Sequence, residues 1–255
     1  MKIDHTIAAA VSGGASGLGA AVVTALAGRD ARIAILDTNT EMGEALAKET
    51  GALFLACDVT DPAAVTAALA KARQAHGQER LTINCAGIAP ARKTVSRGEA
   101  HDAELFQRVI AINLIGSFNL ASQSAAGMAS AAPVTDDGER GVIINTASVA
   151  AFDGQIGQIA YAASKGGIAA MTLPMARDLA DKGVRVMAIA PGIFGTPMLR
   201  AFPQEVQDAL AAQIPFPSRL GEASEFADLA LHIAENPMLN GAVIRLDGAI
   251  RMPPK

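Results

Sequence analysis

Tyr161 and Lys165 stand four residues apart in a stretch of small and apolar residues, and Ser148 precedes Tyr161 by thirteen. On a helix, a four-residue spacing puts both side chains on one face. A phenol with its reference pKa of about 10 is a poor base at neutral pH. An ammonium beside it favours the phenolate and brings it toward the range a general base needs. A serine hydroxyl close by can hold and polarise the oxygen that exchanges the proton. The competing reading of Tyr161 and Lys165 is an exposed helical pair. Against it, Tyr161 is the single tyrosine of the chain, and Ser148 follows the apolar run Val142-Ile143-Ile144-Asn145-Thr146-Ala147. The carboxyl end of a strand is where open α/β sheets bind ligands.

A second set lies near the start. The run Thr6 to Val11 leads into Ser12-Gly13-Gly14-Ala15-Ser16-Gly17-Leu18-Gly19. Glycines at 13, 17 and 19 suit a tight turn, a close approach of backbone to a pyrophosphate, and close packing of helix on strand. The helix start then offers amide groups and a positive dipole end to phosphate. Asp37 follows Gly17 by twenty residues at the end of the next apolar run. A carboxylate there accepts hydrogen bonds from ribose hydroxyls and repels a ribose phosphate. No Arg or Lys lies between Val11 and Gly28, so NAD is expected over NADP. Asp37 read otherwise is a helix cap or a solvated acid. Asp58 is placed to meet the adenine amino group. In Asn84-Cys85-Ala86-Gly87 the backbone is expected to pass beside adenosine, and Asn84 either braces the sheet or touches ligand. Asn113 interrupts the apolar run Ile110 to Ile115 inside a long helical stretch. It either bonds locally or faces solvent, or disturbs the helix and holds a water behind Lys165.

Positioning these groups requires alternating strands and helices. Arg32 to Leu36, Leu53 to Cys57, Leu81 to Asn84, Gly141 to Ala147, Val184 to Ala190 and Ala242 to Leu246 read as further strands. Helices are expected after the glycine turn to about Ala27, over Glu41 to Glu49, from Asp61-Pro62, over Ala103 to Met128 and over about Gln158 to Asp181. Asp61 can cap the third and Pro62 fits its first turn. This order implies an α/β fold, a single-domain doubly wound parallel sheet with helices on both faces. No linker divides residues 1–255; a cofactor half of about 1–125 precedes a catalytic and substrate half of about 126–255. Ala131 to Arg140 is expected to be a polar surface excursion. The segment Gly192 to Gly221, with Pro197, Pro203, Pro215 and Pro217, reads as a long loop with a short helix covering the ligand crevice.

Bulk composition narrows the classes further. The chain has 255 residues, a net charge of −4 and no tryptophan. Without a basic cluster, no nucleic-acid or membrane patch is expected. Met1 to His5 lacks the apolar stretch of a secretory signal and the Arg-rich pattern of a transit peptide. No uninterrupted apolar segment is long enough to span a bilayer. Cys57 and Cys85 each follow a strand-like run and are expected to be free thiols of a cytoplasmic protein. The four histidines lack metal-ligand spacing, so no metal is expected.

Together these residues resemble the short-chain dehydrogenase/reductase family, over nearly the whole chain. The resemblance rests on Ser12-Gly13 to Gly19, Asp58, Asn84 to Gly87, Asn113, Ser148, Tyr161 with Lys165, and Pro191-Gly192 to Thr196-Pro197. It implies a Rossmann-like fold and a catalytic tetrad of Asn113, Ser148, Tyr161 and Lys165. In that tetrad Ser148 polarises the substrate oxygen and Tyr161 exchanges the proton. Lys165 tunes Tyr161 and bonds the nicotinamide ribose, while Asn113 anchors a relay water. The cofactor contacts it implies are Gly13, Ser16, Gly17, Leu18, Gly19, Asp37, Asp58, Val59, Asn84, Cys85, Ala86, Gly87, Tyr161, Lys165, Pro191, Gly192, Phe194 and Thr196. Two departures are mild: Ser12 replaces the usual Thr, and Cys85 a common second Asn. Gly141 to Gly167, Ile214 to Gly221 and Leu239 to Met252 are similar to the family's type II 3-hydroxyacyl-CoA dehydrogenase branch, which includes hydroxysteroid dehydrogenases. That implies oxidation of (S)-3-hydroxyacyl-CoA, a homotetramer, and Gln155 and Gln158 beside the substrate with Ser148 and Tyr161. Arg92, Lys93 and Arg200 become candidates for the CoA phosphates. Oxidation of steroids or other secondary alcohols is the alternative within enzymes, and a non-catalytic NAD-binding scaffold the alternative outside them.

Overall fold

Seven parallel strands form one sheet in the order β3-β2-β1-β4-β7-β8-β9. The computed structural model describes residues 1–254. The strands are β1 (Ala8–Ser12), β2 (Arg32–Asp37), β3 (Leu53–Ala56), β4 (Glu79–Asn84), β7 (Gly141–Thr146), β8 (Val184–Pro191) and β9 (Val243–Leu246). A two-stranded hairpin, β5 (Val95–Ser96) and β6 (Glu99–Ala100), stands apart from the sheet. The helices are α1 (Gly17–Ala27), α2 (Thr40–Thr50), α3 (Pro62–His76), α4 (Ala103–Ile110), α5 (Gly116–Ser130), α6 (Ile159–Asp178), α7 (Pro197–Arg200), α8 (Gln204–Ala211) and α9 (Ala223–Glu235).

Alternation along each strand feeds two cores, because successive side chains point to opposite faces. Val11, Ile33, Ile35 and Ile144 pack with Val22, Val23 and Leu26 of α1 and with Phe226, Ala230 and Ile233 of α9. On the other face Ala10, Ala34 and Leu36 meet Val65, Ala68 and Leu69 of α3, and Ile143 meets Ala125 and Met128 of α5. Both faces being covered explains why β1, β7 and β8 are buried at every position. Asp61 caps α3 by accepting from Ala63 N at 2.8 Å, with Pro62 in the first turn, as its residue types imply.

The chain leaves β1 toward β2 and β3, then returns to build β4, β7, β8 and β9 on the other side. The reversal between β1 and β4 opens a crevice at the strands' carboxyl ends. Cys57 follows β3 and Cys85 follows β4, on opposite sides of β1, and both are free.

Three segments differ from the sequence expectation. The helix expected over Ala103 to Met128 is broken by a π-helical turn at Ala111–Ile115, centred on Asn113. The whole stretch Ala103–Ser130 is long and apolar enough to cross a bilayer, yet half of its apolar window is buried inside the domain. The excursion at 131–140 is mostly exposed, but Glu139 is buried and accepts from Arg185 Nε at 2.9 Å and from the Met1 ammonium at 2.7 Å. Arg185 also donates to the carbonyls of Ile233, Ala234 and Leu239, so this buried ion pair has its donors satisfied. The segment 192–221 holds two short helices, α7 and α8, where one was expected.

Candidate active site

At the switch point the β1–α1 turn forms a tight cradle. Gly13 adopts φ +62°, and a Cβ there would lie 2.6 Å from Ala86 N. A Cβ on Gly19 would collide with the Gly13 carbonyl oxygen. Ser16 makes no side-chain cap at the start of α1, so the helix's first amides and its dipole are available to an anion. Asp37 ties the cradle to β2. Its carboxylate accepts from Ala15 N at 3.0 Å and from Asn39 N at 2.9 Å, and it still lines the cleft. The cleft has a volume of about 740 Å³. Gly13, Ser16, Gly17, Leu18, Gly19, Asp37, Asp58, Val59, Cys85, Ala86, Gly87, Tyr161, Lys165, Pro191 and Thr196, all named from the sequence, lie in its walls. A cradle that only glycine can form, an open helix start and a carboxylate one strand away fit a dinucleotide.

Opposite the cradle stand the groups that can move a proton. Ser148 follows β7 and is buried; its Oγ accepts from Ala150 N at 3.1 Å and is also hydrogen-bonded to the Tyr161 side chain. Lys165 is buried one turn after Tyr161 and donates from Nζ to the Thr146 carbonyl at 2.6 Å. Its ammonium lies 5.7 Å from the centre of the Tyr161 ring. Desolvation pulls the Lys165 pKa down to about 8, against a smaller upward pull from Cys85. Desolvation also raises Tyr161 above its ordinary value, with the Ser148 bond pulling the other way. The lowering of Tyr161 expected from the sequence is therefore not a property of the protein alone. Lys165 spends a hydrogen bond on Thr146, and burial of the phenol outweighs what its surroundings return.

Asn113 resolves in favour of the buried alternative. Its Oδ1 accepts from Ile88 N at 2.8 Å, and its Nδ2 donates to Ile88 O at 2.9 Å and to Ser164 Oγ at 3.0 Å. Its own carbonyl accepts from Ser117 Oγ at 2.7 Å. The π-helical turn carries the side chain off the regular helical path and onto the loop after β4. Gly87 on that loop has Asn113 Oδ1 and Lys165 Nζ as its nearest neighbours, so helix, loop and lysine meet at one point.

Several expected contacts lie elsewhere. Asn84 is absent from the cleft wall; it donates to Asn145 Oδ1 at 2.9 Å and accepts from Ser12 Oγ at 3.3 Å, bracing three central strands. Phe194 turns away from the cleft, is buried in the core and covers Gly221, because a Cβ-free position there accepts the ring. Gly192 packs against the backbone of Asp247. Gln155 and Gln158 bond each other near the rim: Gln155 N donates to Gln158 Oε1 at 3.2 Å. Arg200 is occupied by Gly195 O and Glu222, and Arg92 stands 3.8 Å from Glu99.

Thr146 went unmarked in the sequence reading, although its carbonyl holds Lys165 and its hydroxyl donates to Cys85 Sγ at 3.6 Å. Its place at the carboxyl end of a strand was the available signal. Arg108, Ala111 and Ile112 also line the cleft; nothing in their types marks them, since only the fold brings α4 and the π-helical turn there. Among the described residues no three His, Cys, Asp or Glu side chains converge as a metal site.

Residues 7–207 match the sequence pattern of the short chain dehydrogenase family. The chain is 54% identical over 252 residues to human "3-hydroxyacyl-CoA dehydrogenase type-2", covering 97% of this chain and 96% of the relative. It is 53% identical over 248 residues to the Drosophila melanogaster protein of the same name, covering 96% and 97%. A crystal structure of 3-hydroxyacyl-CoA dehydrogenase type-2 from Mycobacterium avium superposes with a TM-score of 0.94 at 42% identity, covering all of both chains.

Proposed function

This chain belongs to the short-chain dehydrogenase family, and from that premise we propose that it oxidises (S)-3-hydroxyacyl-CoA to 3-ketoacyl-CoA with NAD. It is an oxidoreductase acting on a CH–OH group, and a nicotinamide cofactor follows from its family. The observation that carries the proposal is the buried Ser148–Tyr161–Lys165 set at one end of a glycine cradle. The relatives' acyl-CoA chemistry supports the substrate class.

The residues divide the work as follows. The cradle from Gly13 to Gly19 holds pyrophosphate, Asp37 the adenosine ribose, and Asp58 with Val59 the adenine. Ala86, Gly87, Pro191 and Thr196 flank the nicotinamide half. NAD, when bound, accepts the hydride and adds positive charge near Tyr161. Ser148 donates a hydrogen bond to the substrate oxygen, and Tyr161 as phenolate takes the hydroxyl proton. Lys165 steadies that phenolate and bonds the nicotinamide ribose. Asn113 holds the loop around Gly87 and, at the helix break, a water that carries the proton outward. Gln158, three residues before Tyr161 on the same helix face, orients the thioester.

The assay is NADH oxidation with acetoacetyl-CoA beside a hydroxysteroid ketone. Turnover of the thioester is expected; turnover of the steroid alone moves the assignment to secondary alcohols, and turnover of neither leaves an NAD-binding scaffold. NAD is expected to be preferred over NADP, since Asp37 lines the cleft with no cation in the β1–α1 turn to neutralise a phosphate. Asp37→Ala is expected to narrow the ratio of kcat/KM for the two cofactors about tenfold or more, on the order of one lost charged hydrogen bond. A parent that prefers NADP would sink the assignment.

A homotetramer is consistent with the apolar side chains that α5 and α6 expose, Phe118 at 51% and Leu173 at 43%. Free thiols at Cys57 and Cys85 support a cytoplasmic setting, and the reaction belongs to fatty acid metabolism.

A further inference from the structure

The loop between Ser148 and Tyr161 is held from outside by the end of the chain. Ile156 N donates to Pro254 O at 3.0 Å, and Gln155 Nε2 donates to Pro253 O at 3.2 Å. Arg245 binds Asp153 at 2.6 Å and Asp247 at 2.7 Å, and also donates to Ile250 O at 3.0 Å. Thus β9 and the tail after it grip the loop at 153, 155 and 156. Just before the loop's contact with Pro253, Ile250 is buried with Ile193 and Ile214, and Met252 packs on the same cluster. These are residues of the segment 192–221. The tail therefore joins both walls that flank Ser148 and Tyr161 on the side away from the cradle.

Gln155 is the link between tail and helix. Its amide nitrogen is taken by Pro253 O, and its carbonyl oxygen accepts from Gln158 Nε2 at 3.4 Å, while Gln158 Oε1 accepts from Gln155 N. Gln158 opens α6 one turn before Tyr161, so its side chain shares Tyr161's face. On the other flank, Arg92 N donates to Gly157 O at 2.8 Å. Without its neighbours the Gln158 amide could rotate through a broad torsional range. Gln155 selects one orientation, and the tail carbonyl selects the orientation of Gln155.

We infer that Gln155 and the tail carbonyls of Pro253 and Pro254 are positioning groups for Gln158, and that the tail thereby sets substrate affinity without touching substrate or cofactor. The inference rests on the acyl-CoA reading only for the choice of substrate. Holding a polar group in one geometry before binding removes an ordering cost that would otherwise fall on the complex.

The test compares the full chain with Gln155→Ala, Gln155→Asn and a truncation after Arg251, each assayed with acetoacetyl-CoA and with a CoA-free ketone. The expected result for Gln155→Ala and the truncation is a KM for substrate raised about tenfold, with kcat within about threefold and the NAD dissociation constant unchanged. Amide exchange at Ile156 should quicken in the truncation, because its acceptor is gone. Gln155→Asn keeps the amide but shortens the reach, and is expected to fall between the two. An unchanged KM in the truncation despite faster exchange at Ile156 overturns the inference and leaves the acyl-CoA reading standing. Equal losses in substrate and NAD binding also overturn it, since the tail would then support the fold generally. If the parent turns over the CoA-free ketone alone, the acyl-CoA reading falls and the positioning role is judged on the KM for that ketone.

Discussion

Tyr161→Phe reduces turnover by about 10²–10⁴, the range a general acid–base group contributes, while the NAD dissociation constant and the melting temperature stay near those of the parent. The phenolic oxygen is hydrogen-bonded to Ser148, and the ring lies in the cleft wall. Phenylalanine fills the same volume and removes the one atom that can carry the proton. The pH profile gives a second readout. Oxidation needs the phenolate, burial lifts the phenol's pKa, and the Ser148 bond pulls it down. The oxidation rate therefore rises with pH. Removing the downward pull in Ser148→Ala shifts that limb toward higher pH. Lys165→Ala shifts it the same way and weakens NAD binding as well, because one buried ammonium serves both phenol and ribose. A pH profile unmoved in Lys165→Ala would count against its part in the proton transfer. Parent-like turnover in Tyr161→Phe would remove Tyr161 from the mechanism.

Gly13→Ala weakens NAD binding about a hundredfold, close to 2.8 kcal/mol at 1.4 kcal/mol per factor of ten. A left-handed backbone costs an L-residue roughly 1–2 kcal/mol, and Gly13 sits at φ +62°. The added carbon would also stand 2.6 Å from Ala86 N and 2.7 Å from Cys85 C. Both are backbone atoms and cannot swing aside as the end of a side chain can. The cradle must part from the β4 loop, and both line the cleft. Gly166→Ala is the matched control. Within α6 its Cβ would meet nothing within 4 Å, so the same substitution there is expected to stabilise the helix by about 0.5–1 kcal/mol. Titration of each variant with NAD, alongside thermal melting, separates the two. Parent-like affinity in Gly13→Ala would show that the cradle yields more readily than its contacts imply.

The elements that carry the site were readable because their signals are local. Periodicity and short polar turns set the order of strands and helices, since a parallel sheet covered on both faces demands continuous apolar strands. The glycine run and the Tyr161–Lys165 spacing were equally local, each within one turn of chain. Asn84 was ambiguous for a physical reason: an asparagine at a strand end can bond a neighbouring strand or a ligand. Only the placement of Ser12 and Asn145 beside it decides the matter. Phe194 was assigned to the cofactor by its position after Pro191-Gly192, and its burial over Gly221 depends on a contact with a residue far along the chain.

The sequence alone determined the fold class, the cradle, the acid–base pair and the family resemblance, because each rests on residues close together in the chain or on strand order. The tertiary structure decided which polar groups are already spent. Asn113 is consumed by Ile88 and Ser164, Lys165 leans on Thr146, and Glu139 is buried beneath Arg185 and the first residue. It also decided the sign of the Tyr161 shift, since desolvation depends on everything packed around the ring rather than on the lysine four residues on. Hydrogen-bond partners and burial are sums over distant segments, and no spacing within the sequence encodes them.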